Sequence, residues 1–278
     1  MANKYLYQVI NCKILALLII LILINTAETQ PEEYYGHKKK IVIENFYVKL
    51  KKAYPESGKL FASKLKSALF NTNRFVVKEA KAIEKSKELA QLTIRGRILK
   101  CREEAVIKWY HRPLPTRFRG PKVTKACIGV EIDLCDPDTD VIIKSFRVKG
   151  EAKLEGEKLA GLENNKGGKL NPDWQTSALA LSINKVTQRI IDIIIEEMDK
   201  YKWEAKITQV NGDKLYIDCG LECNIKAGTM LVVHKKNTMD TETIVGETKI
   251  IEVNKNSSIG IITKNDGIKP NMVVRMVE

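Results

Sequence analysis

Aromatic and guanidinium side chains concentrate in one polar stretch, Glu103 to Ala126, and their chemistry is that of partner binding. Trp, Tyr and Arg are enriched at the energetic hot spots of protein interfaces. The candidate partner-binding residues are Trp109, Tyr110, Arg112, Arg117, Phe118 and Arg119. Loops longer than about 12 to 15 residues are usually either functional or disordered. The sequence therefore leaves two interpretations open, a partner-binding loop and a solvated, disordered one.

No set of residues has the composition and spacing of a catalytic site. The nucleophile-elbow, phosphate-loop, dinucleotide-binding and His-Glu-x-x-His motifs are absent from the sequence. The carboxylate pairs Glu103-Glu104 and Glu196-Glu197 are adjacent in the chain rather than convergent, which is typical of solvated positions. We therefore expect a non-enzymatic protein that uses no cofactor.

The cysteines and histidines do not form a metal-binding pattern. The sequence has no Cys-x-x-Cys pair and its three histidines are far apart, so the ligand spacing of a structural zinc site is missing. Cys219 and Cys223 flank a predicted turn and are interpreted as buried, small apolar residues rather than a redox pair. Cys101 and Cys127 bracket the aromatic stretch, and a disulfide between them requires Cα atoms within about 7 Å. The sequence leaves both this pairing and the pairing of Cys219 with Cys223 open.

The first 27 residues have the organisation of an export signal. The chain has 278 residues and a formal net charge of +13, and it begins with a basic segment followed by eleven consecutive apolar residues, Ile14–Ile24. That run has the length of a signal-peptide core, about 7 to 15 residues, and is shorter than the roughly 20 residues of a membrane-spanning helix. We expect a cleaved signal peptide over 1–27. The alternative is an uncleaved anchor in which Tyr5–Ile10 extend the apolar segment.

The predicted location is periplasmic or outer-membrane-associated. Cys12 precedes the apolar run, whereas a lipoprotein needs its lipidated cysteine just after such a run, so no lipoprotein cysteine is expected. A strongly basic exported chain faces anionic lipid, cell-wall polymer or acidic proteins rather than DNA. The expected partners are envelope proteins or cell-wall components and no nucleic acid, with self-association and peripheral membrane association left open. A cytoplasmic DNA-binding protein with an inner-membrane anchor is a third hypothesis, which salt-dependent binding to duplex DNA would favour.

Alternating and helical apolar patterns predict an α/β domain over 41–200, after a linker over 28–40. The linker ends in His37-Lys-Lys-Lys40 and is predicted to be a solvated tether. Predicted strands are Ile41–Val48, Arg74–Val77, Leu92–Ile98, Ile128–Leu134 and Val141–Val148. A turn over Asp136–Asp140 joins the last two strands as an antiparallel pair. Ser57 can cap a first helix, and Ala80–Gln91 is predicted to be a short charged helix.

A long amphipathic helix closes this domain. It is predicted to start at Asn171-Pro172, with proline in the first turn. Its apolar residues recur at intervals of three or four: Leu179, Ile183, Val186, Ile190, Ile194 and Met198. Such a stripe is typical of a helix packed on a sheet. Short strands and turns follow over 203–278, including an Asn211-Gly212 hairpin signal. The predicted fold class is therefore α/β (α+β), a mixed sheet packed by helices and followed by a small all-β, barrel-like domain.

The order of these segments resembles the CsgG family, which includes the curli secretion channel and related periplasmic proteins. The resemblance covers about 40–200. It rests on Ile41–Phe46, Gly58 in the first helix, Asn73–Val77, Leu92–Ile98, Val130–Thr139 and the closing long helix. Asp140 departs from the family, which usually has glycine after the Asp-x-x-Thr turn. Val210–Gly220 and Ala227–Val233 are similar to the C-terminal β-domain of flagellar assembly protein T.

The resemblance implies an exported accessory protein that binds partners in cell-envelope or surface-structure assembly or secretion. It also implies a test for channel formation, because in the curli channel two hairpin insertions build the pore from strands of about 9 to 11 alternating residues. Here Glu103–Ala126 contains three prolines and many cationic side chains, and Leu154–Asp173 is rich in glycine and asparagine. We therefore expect the insertions to be missing. The alternative is an oligomeric outer-membrane secretion channel component of the curli type.

Overall fold

A mixed sheet of six strands organises the first part of the fold. The computed structural model describes residues 36–48, 57–79, 89–106, 123–156, 174–236 and 242–277. The strands of the sheet are β1 Lys39–Ile43, β2 Tyr47–Val48, β3 Phe75–Glu79, β4 Leu92–Val106, β5 Val123–Cys135 and β6 Ile142–Glu155. The sheet order is β3-β1-β4-β5-β6, and β2 pairs with β4. The pairs among β1, β2, β3 and β4 are parallel, whereas β4, β5 and β6 are antiparallel.

Two helices of the described residues, α1 Ser57–Asn71 and α2 Ala178–Met198, share one apolar core with the sheet. The predicted helix faces are confirmed, because the apolar stripe of α2 and the apolar face of α1 are buried. The buried helix residues in this core include Phe61, Leu65, Leu69, Leu179, Ile183, Val186, Ile190, Ile194 and Met198. Full burial of each such side chain contributes about 1.5–3 kcal/mol. Within the described ranges, no helix is both long and apolar enough to cross a membrane.

The start of α2 lies later in the chain than predicted. Its N-cap is Ser177, whose Oγ accepts a hydrogen bond from the backbone N–H of Ala180 at 3.2 Å. That bond satisfies one of the free N–H groups of the first turn, so a serine cap replaces the expected proline start. A 3₁₀ turn, Trp174–Thr176, precedes it. Asn171 and Pro172 lie outside the described residues, as does most of the helix predicted for Ala80–Gln91.

The hairpin of β4 and β5 is longer than predicted. Its antiparallel register continues to the pair Val106 and Val123, with an irregularity between Ile98 and Lys100. The irregularity shifts the alternation, and Glu103 takes an inward, buried position in the continued strand. Because Glu103 is charged, the inward positions of this part of β4 do not read as apolar, and the sequence lacks the apolar–polar alternation that predicts a strand. The prediction that the whole of Glu103–Ala126 is a loop is therefore wrong at both of its ends.

Strand β6 forms one edge of the sheet, and α2 covers part of its backbone. Lys185 donates from Nζ to the carbonyl of Glu151 at 3.3 Å, and Arg189 donates from Nη1 to the carbonyl of Lys149 at 3.1 Å. Both carbonyls belong to the edge strand of the described sheet. The helix thus satisfies two acceptors that an uncovered edge exposes.

The chain after the long helix forms a closed barrel, as predicted. Its strands are β7 Ala205–Asn211, β8 Lys214–Ile217, β9 Met230–Lys236, β10 Glu242–Val253, β11 Ser258–Asn265 and β12 Val273–Met276. They close in the order β10-β11-β8-β7-β12-β9. Gly212 has φ 61° in the turn between β7 and β8, a backbone conformation that glycine adopts without a steric penalty. The confirmed fold class is α+β with a small barrel.

The two lysines at the end of the predicted tether are buried in β1. Lys39 donates from Nζ to the carbonyls of Met198 and Tyr201, each at 2.5 Å, at the C-terminal end of α2. Burial lowers the pKa of Lys39 from its ordinary value. The unpaired carbonyls of a helix end carry partial negative charge and attract a cation. The prediction of a solvated tether is therefore wrong for Lys39 and Lys40.

Lys40 joins the sheet to the barrel through a buried ion pair. Its Nζ lies 3.4 Å from Oδ2 of Asp218, and the two side chains are 3% and 2% exposed. The same carboxylate accepts hydrogen bonds from the backbone N–H groups of Leu89, at 2.6 Å, and Lys206, at 2.7 Å. Asp218 therefore connects three separate segments of the chain.

A disulfide between Cys219 and Cys223, a pairing that the sequence left open, lies beside this ion pair. Both cysteines are buried, and their Cα atoms are 5.8 Å apart across a 3₁₀ turn. The carbonyl of Cys223 accepts from the backbone N–H of Lys38 at 3.1 Å, and Lys78 pairs with Glu222 at 3.1 Å. The turn that the disulfide closes is thus a contact surface for the sheet.

Candidate functional site

The face of β4, β5 and β6 opposite the helices is covered with charged side chains. Successive residues of a strand point to opposite faces, and the register aligns the outward residues in five cross-strand rows. These rows are Arg95–Asp133–Ser145, Arg97–Glu131–Arg147, Lys100–Gly129–Lys149, Arg102–Cys127–Glu151 and Glu104–Lys125–Lys153. We call these positions the outer sheet face. These five rows carry no large apolar side chain, and the next outward pair beyond Glu104 and Lys125 is Val106 and Val123, both half-buried.

At one end of the outer sheet face, acidic groups compensate the cations. Arg97 lies 2.9 Å from Glu131 and 3.3 Å from Asp133, and Arg147 lies 2.8 Å from Glu131. Arg95 is paired with Asp140 in the neighbouring turn, and that hydrogen bond is the main cause that raises the pKa of Arg95. This end therefore presents a closed network of ion pairs rather than free charge.

Asp140 ends the turn beside this network. Asp140 has φ 61°, the left-handed conformation for which glycine is the usual residue, although aspartate also adopts it. The predicted turn over Asp136–Asp140 is confirmed, and Oδ1 of Asp136 accepts hydrogen bonds from the N–H groups of Asp138, at 2.9 Å, and Thr139, at 2.8 Å. Aspartate at position 140 adds a carboxylate partner for Arg95 that glycine lacks.

At the other end, the same face forms a groove of about 530 Å³ with an excess of positive charge. Five cationic side chains and two carboxylates line it. The charged lining residues are Lys100, Arg102, Lys125, Lys153, Lys185, Glu104 and Glu151. We call this the basic groove. Lys185 reaches it from α2, and the other six residues belong to β4, β5 and β6.

Both carboxylates of the basic groove are already held by cations. Arg102 lies 2.8 Å from Glu104, and Lys149 lies 2.5 Å from Glu151. The hydrogen bond from Lys149 is the main cause that lowers the pKa of Glu151, and the same bond raises the pKa of Lys149. Both groups therefore stay charged at neutral pH.

Three lysines of the basic groove have no such partner among the described residues: Lys100, Lys125 and Lys153. Lys125 and Lys153 stand directly opposite each other on β5 and β6. Like charges at directly opposed strand positions destabilise a sheet. Two rows away, beyond Arg102, Cys127 and Glu151, Gly129 has no side chain and separates Lys100 from Lys149. Lys100 and Lys153 lie near enough to Glu151 to help lower its pKa, and the groove as a whole keeps an excess of positive charge.

The two cysteines that bracket the aromatic stretch are not joined. Cys101 pairs with Ile128 and Cys127 pairs with Arg102, so the two thiols lie on opposite faces of neighbouring strands. Both are free. Burial is the main cause that raises the pKa of Cys101 to about 11, whereas Cys127 lies on the floor of the basic groove.

The sequence-based site residues lie outside the described residues, in the segment between Val106 and Val123. They are Trp109, Tyr110, Arg112, Arg117, Phe118 and Arg119. Their role stays a prediction. The basic groove itself was missed by sequence reasoning, because it depends on which residues of β4, β5 and β6 stand opposite each other. The alternation of Lys149, Glu151 and Lys153 was the one signal that could have indicated an outward charged strand face.

No family model matches the chain, and no curated protein matches it. Several solved structures have a similar arrangement. The PelC dodecamer from Paraburkholderia phytofirmans is 14% identical, with a TM-score of 0.31 over 58% of this chain and 90% of that chain. A minor lipoprotein from Acinetobacter baumannii is 12% identical, with a TM-score of 0.31 over 58% of this chain and 94% of that chain.

A neuraminyllactose-binding hemagglutinin homolog from Helicobacter pylori is 16% identical, with a TM-score of 0.36 over 60% of this chain and 90% of that chain. Similarities at this level carry no conclusion about function. The resemblance to the CsgG family and to flagellar assembly protein T therefore stays a prediction.

Proposed function

We propose that the chain is an exported, non-enzymatic accessory protein that binds a partner in cell-envelope or surface-structure assembly or secretion. The observation that carries this proposal is the basic groove, in which three lysines lack ion-pair partners among the described residues on an otherwise ion-paired sheet face. A sheet packed on one face by helices holds these side chains on a rigid support. The segment that carries the candidate aromatic and arginine residues connects the two strands β4 and β5 of that same face.

The disulfide supports the exported part of the proposal. Disulfides form and persist in oxidising compartments such as the bacterial periplasm and are rare in the cytosol. Cys219 and Cys223 are joined where the barrel meets the sheet. This agrees with the signal-like composition of residues 1–27, which is independent of the fold.

The charges of the basic groove favour binding over acid–base chemistry. General acid–base catalysis works best when the pKa of the catalytic group lies near the working pH. In the groove, ion pairing moves the pKa of Glu151 down and the pKa of Lys149 up, away from neutrality in both cases. These fixed charges attract a ligand without exchanging protons with it.

The proposal is tested in the native host by fractionation and site-specific cross-linking. A photo-crosslinking residue replaces Lys153 in the basic groove, and in a matched strain it replaces Lys249, an exposed lysine on β10 of the barrel. We expect a periplasmic or envelope-bound species whose intact mass corresponds to a start near Glu28, and an envelope partner cross-linked from position 153 alone. A cytoplasmic protein, or equal cross-linking from both positions, would contradict the proposal. Ion conductance of the purified chain in planar bilayers would favour the secretion-channel alternative.

A further inference from the structure

We propose that the basic groove binds a linear anionic polymer, of the class of acidic envelope glycans whose repeating charge is carried by phosphate or carboxylate groups. This inference names the ligand class of the groove and rests on the proposed function. Its basis is the distribution of the groove cations over three neighbouring strands, the opposed lysine pair and the charged or small residues of the five rows of the outer sheet face.

The cations of the groove are spread over neighbouring strands. Lys100 and Arg102 are two residues apart on β4, a separation of about 6.6–6.8 Å, whereas Lys125 lies on β5 and Lys153 on β6. Lys149 lies beside the groove on β6, with the carboxylate of Glu151 between it and Lys153. A small anion meets only one or two of these charges, whereas a chain of repeating anionic groups meets several at once.

The two opposed lysines, Lys125 and Lys153, provide a favourable site for an anionic group. Lys125 and Lys153 repel each other across the sheet in the unbound protein. An anionic group placed between them turns this repulsion into two attractive contacts. Lysine ammonium groups bind phosphate as compact point charges and do not require the planar geometry of an arginine site. The groove therefore suits a ligand with frequent charge and little shape specificity.

The composition of the outer sheet face disfavours a protein or a membrane as its ligand. The cores of protein interfaces are depleted in Lys and Glu and enriched in aromatic residues, and membrane-binding surfaces insert apolar side chains among the lipids. The five cross-strand rows of this face carry charged residues, together with Gly129, Cys127 and Ser145. Polyelectrolytes need none of the missing apolar contacts, because release of their counterions supplies the driving force.

The two carboxylates of the groove allow a second test, in which a substitution should strengthen binding. Glu104 and Glu151 form ion pairs with Arg102 and Lys149 and repel an incoming anion. Removal of the negative charge in Glu151→Gln frees Lys149 and should tighten polymer binding. A variant that merely damages the fold would weaken binding instead.

The experiment measures the affinity of the chain, as recovered from its host, for defined probes over a series of salt concentrations. Long-chain polyphosphate and polygalacturonate separate phosphate from carboxylate charge, while duplex DNA and vesicles of anionic phospholipid represent the other polyanions. The test variant is Lys125→Gln/Lys153→Gln. The control is Lys214→Gln/Lys249→Gln, which removes the same charge from two exposed strand lysines of the barrel.

We expect at least one of the two polymers to bind more tightly than DNA or vesicles. At a slope of about 0.7 in log affinity per log salt for each contact, loss of two contacts lowers the slope by about 1.4 and the affinity about tenfold near physiological salt. The control should keep the wild-type affinity within about twofold, and Glu151→Gln should raise it.

Three results would overturn the inference: no binding of either polymer, tighter binding of DNA or of vesicles, or equal losses in the test and control variants. Tighter binding of DNA would also favour the DNA-binding hypothesis over the proposed function. The other results do not bear on the proposed function, which the cross-linking from position 153 and the fractionation decide. A protein partner captured there without polymer binding would refute the ligand class and leave the accessory role intact.

Discussion

The ion pair of Lys40 and Asp218 allows the most direct test of how the sheet and the barrel are held together. In Lys40→Met, a side chain of similar length fills the space without charge, and the carboxylate of Asp218 stays buried at 2% exposure without its counter-ion. Loss of one partner of a buried pair costs about 3–5 kcal/mol. For a domain of this size, about 2–4 °C of Tm is lost per kcal/mol. The expected fall in Tm is therefore about 6–20 °C.

Thermal unfolding followed by circular dichroism or scanning calorimetry measures this shift. The control is Lys249→Met, which makes the same substitution on an exposed barrel strand and should change Tm by no more than about 2 °C. The double variant Lys40→Met/Asp218→Asn has no buried charge at this pair. The amide oxygen of the new asparagine still accepts a hydrogen bond from the backbone N–H of either Leu89 or Lys206. It should unfold at a higher temperature than Lys40→Met. If Lys40→Met unfolds within about 2 °C of the wild type, the assignment of the pair as a structural link is refuted.

Three further predictions concern the disulfide, the packing of α2 on β6 and the thiol of Cys101. Reduction of the Cys219–Cys223 disulfide, whose residues are four apart, should cost about 2 kcal/mol by the loop-entropy relation, and calorimetry with and without reductant measures the change. The variant Gly150→Ala should lose about 1–3 kcal/mol in denaturant unfolding, because its added Cβ would overlap the carbonyl oxygen of Ser182 in α2. At pH 8, with its pKa raised to about 11, Cys101 should have about one thiolate in a thousand molecules, so peptide mapping after brief alkylation should find it unmodified; rapid labelling would contradict this.

Local patterns predicted the elements whose apolar residues repeat. The stripe from Leu179 to Met198 and the alternation from Ile128 to Leu134 each recur several times, so the period alone fixes which face is buried. The start of the long helix depends on one hydrogen bond to Ser177, and a single polar side chain is a weak signal in a sequence. The repeating apolar residues therefore predicted the fold class, whereas the start of the long helix could not be predicted from them.

Long-range contacts determine what the sequence did not predict. Lys39 and Lys40 are buried against the end of α2 and against Asp218. These partners lie more than 150 residues further along the chain. A run of lysines gives no indication of such partners and is typical of a solvated segment. The basic groove has the same origin, because Lys125 and Lys153 become neighbours only through the register of β5 and β6.

The contacts from Lys185 and Arg189 to the edge of the sheet also limit how molecules of this protein can associate. An exposed strand edge recruits a strand from any neighbouring chain, including unfolded or partly folded copies of itself. Here two acceptors of β6 are occupied by the molecule's own helix, so an incoming strand would first have to displace both side chains. At this edge of the sheet, pairing with the backbone of another chain is therefore hindered. Ligands that recognise charged side chains are not hindered in this way.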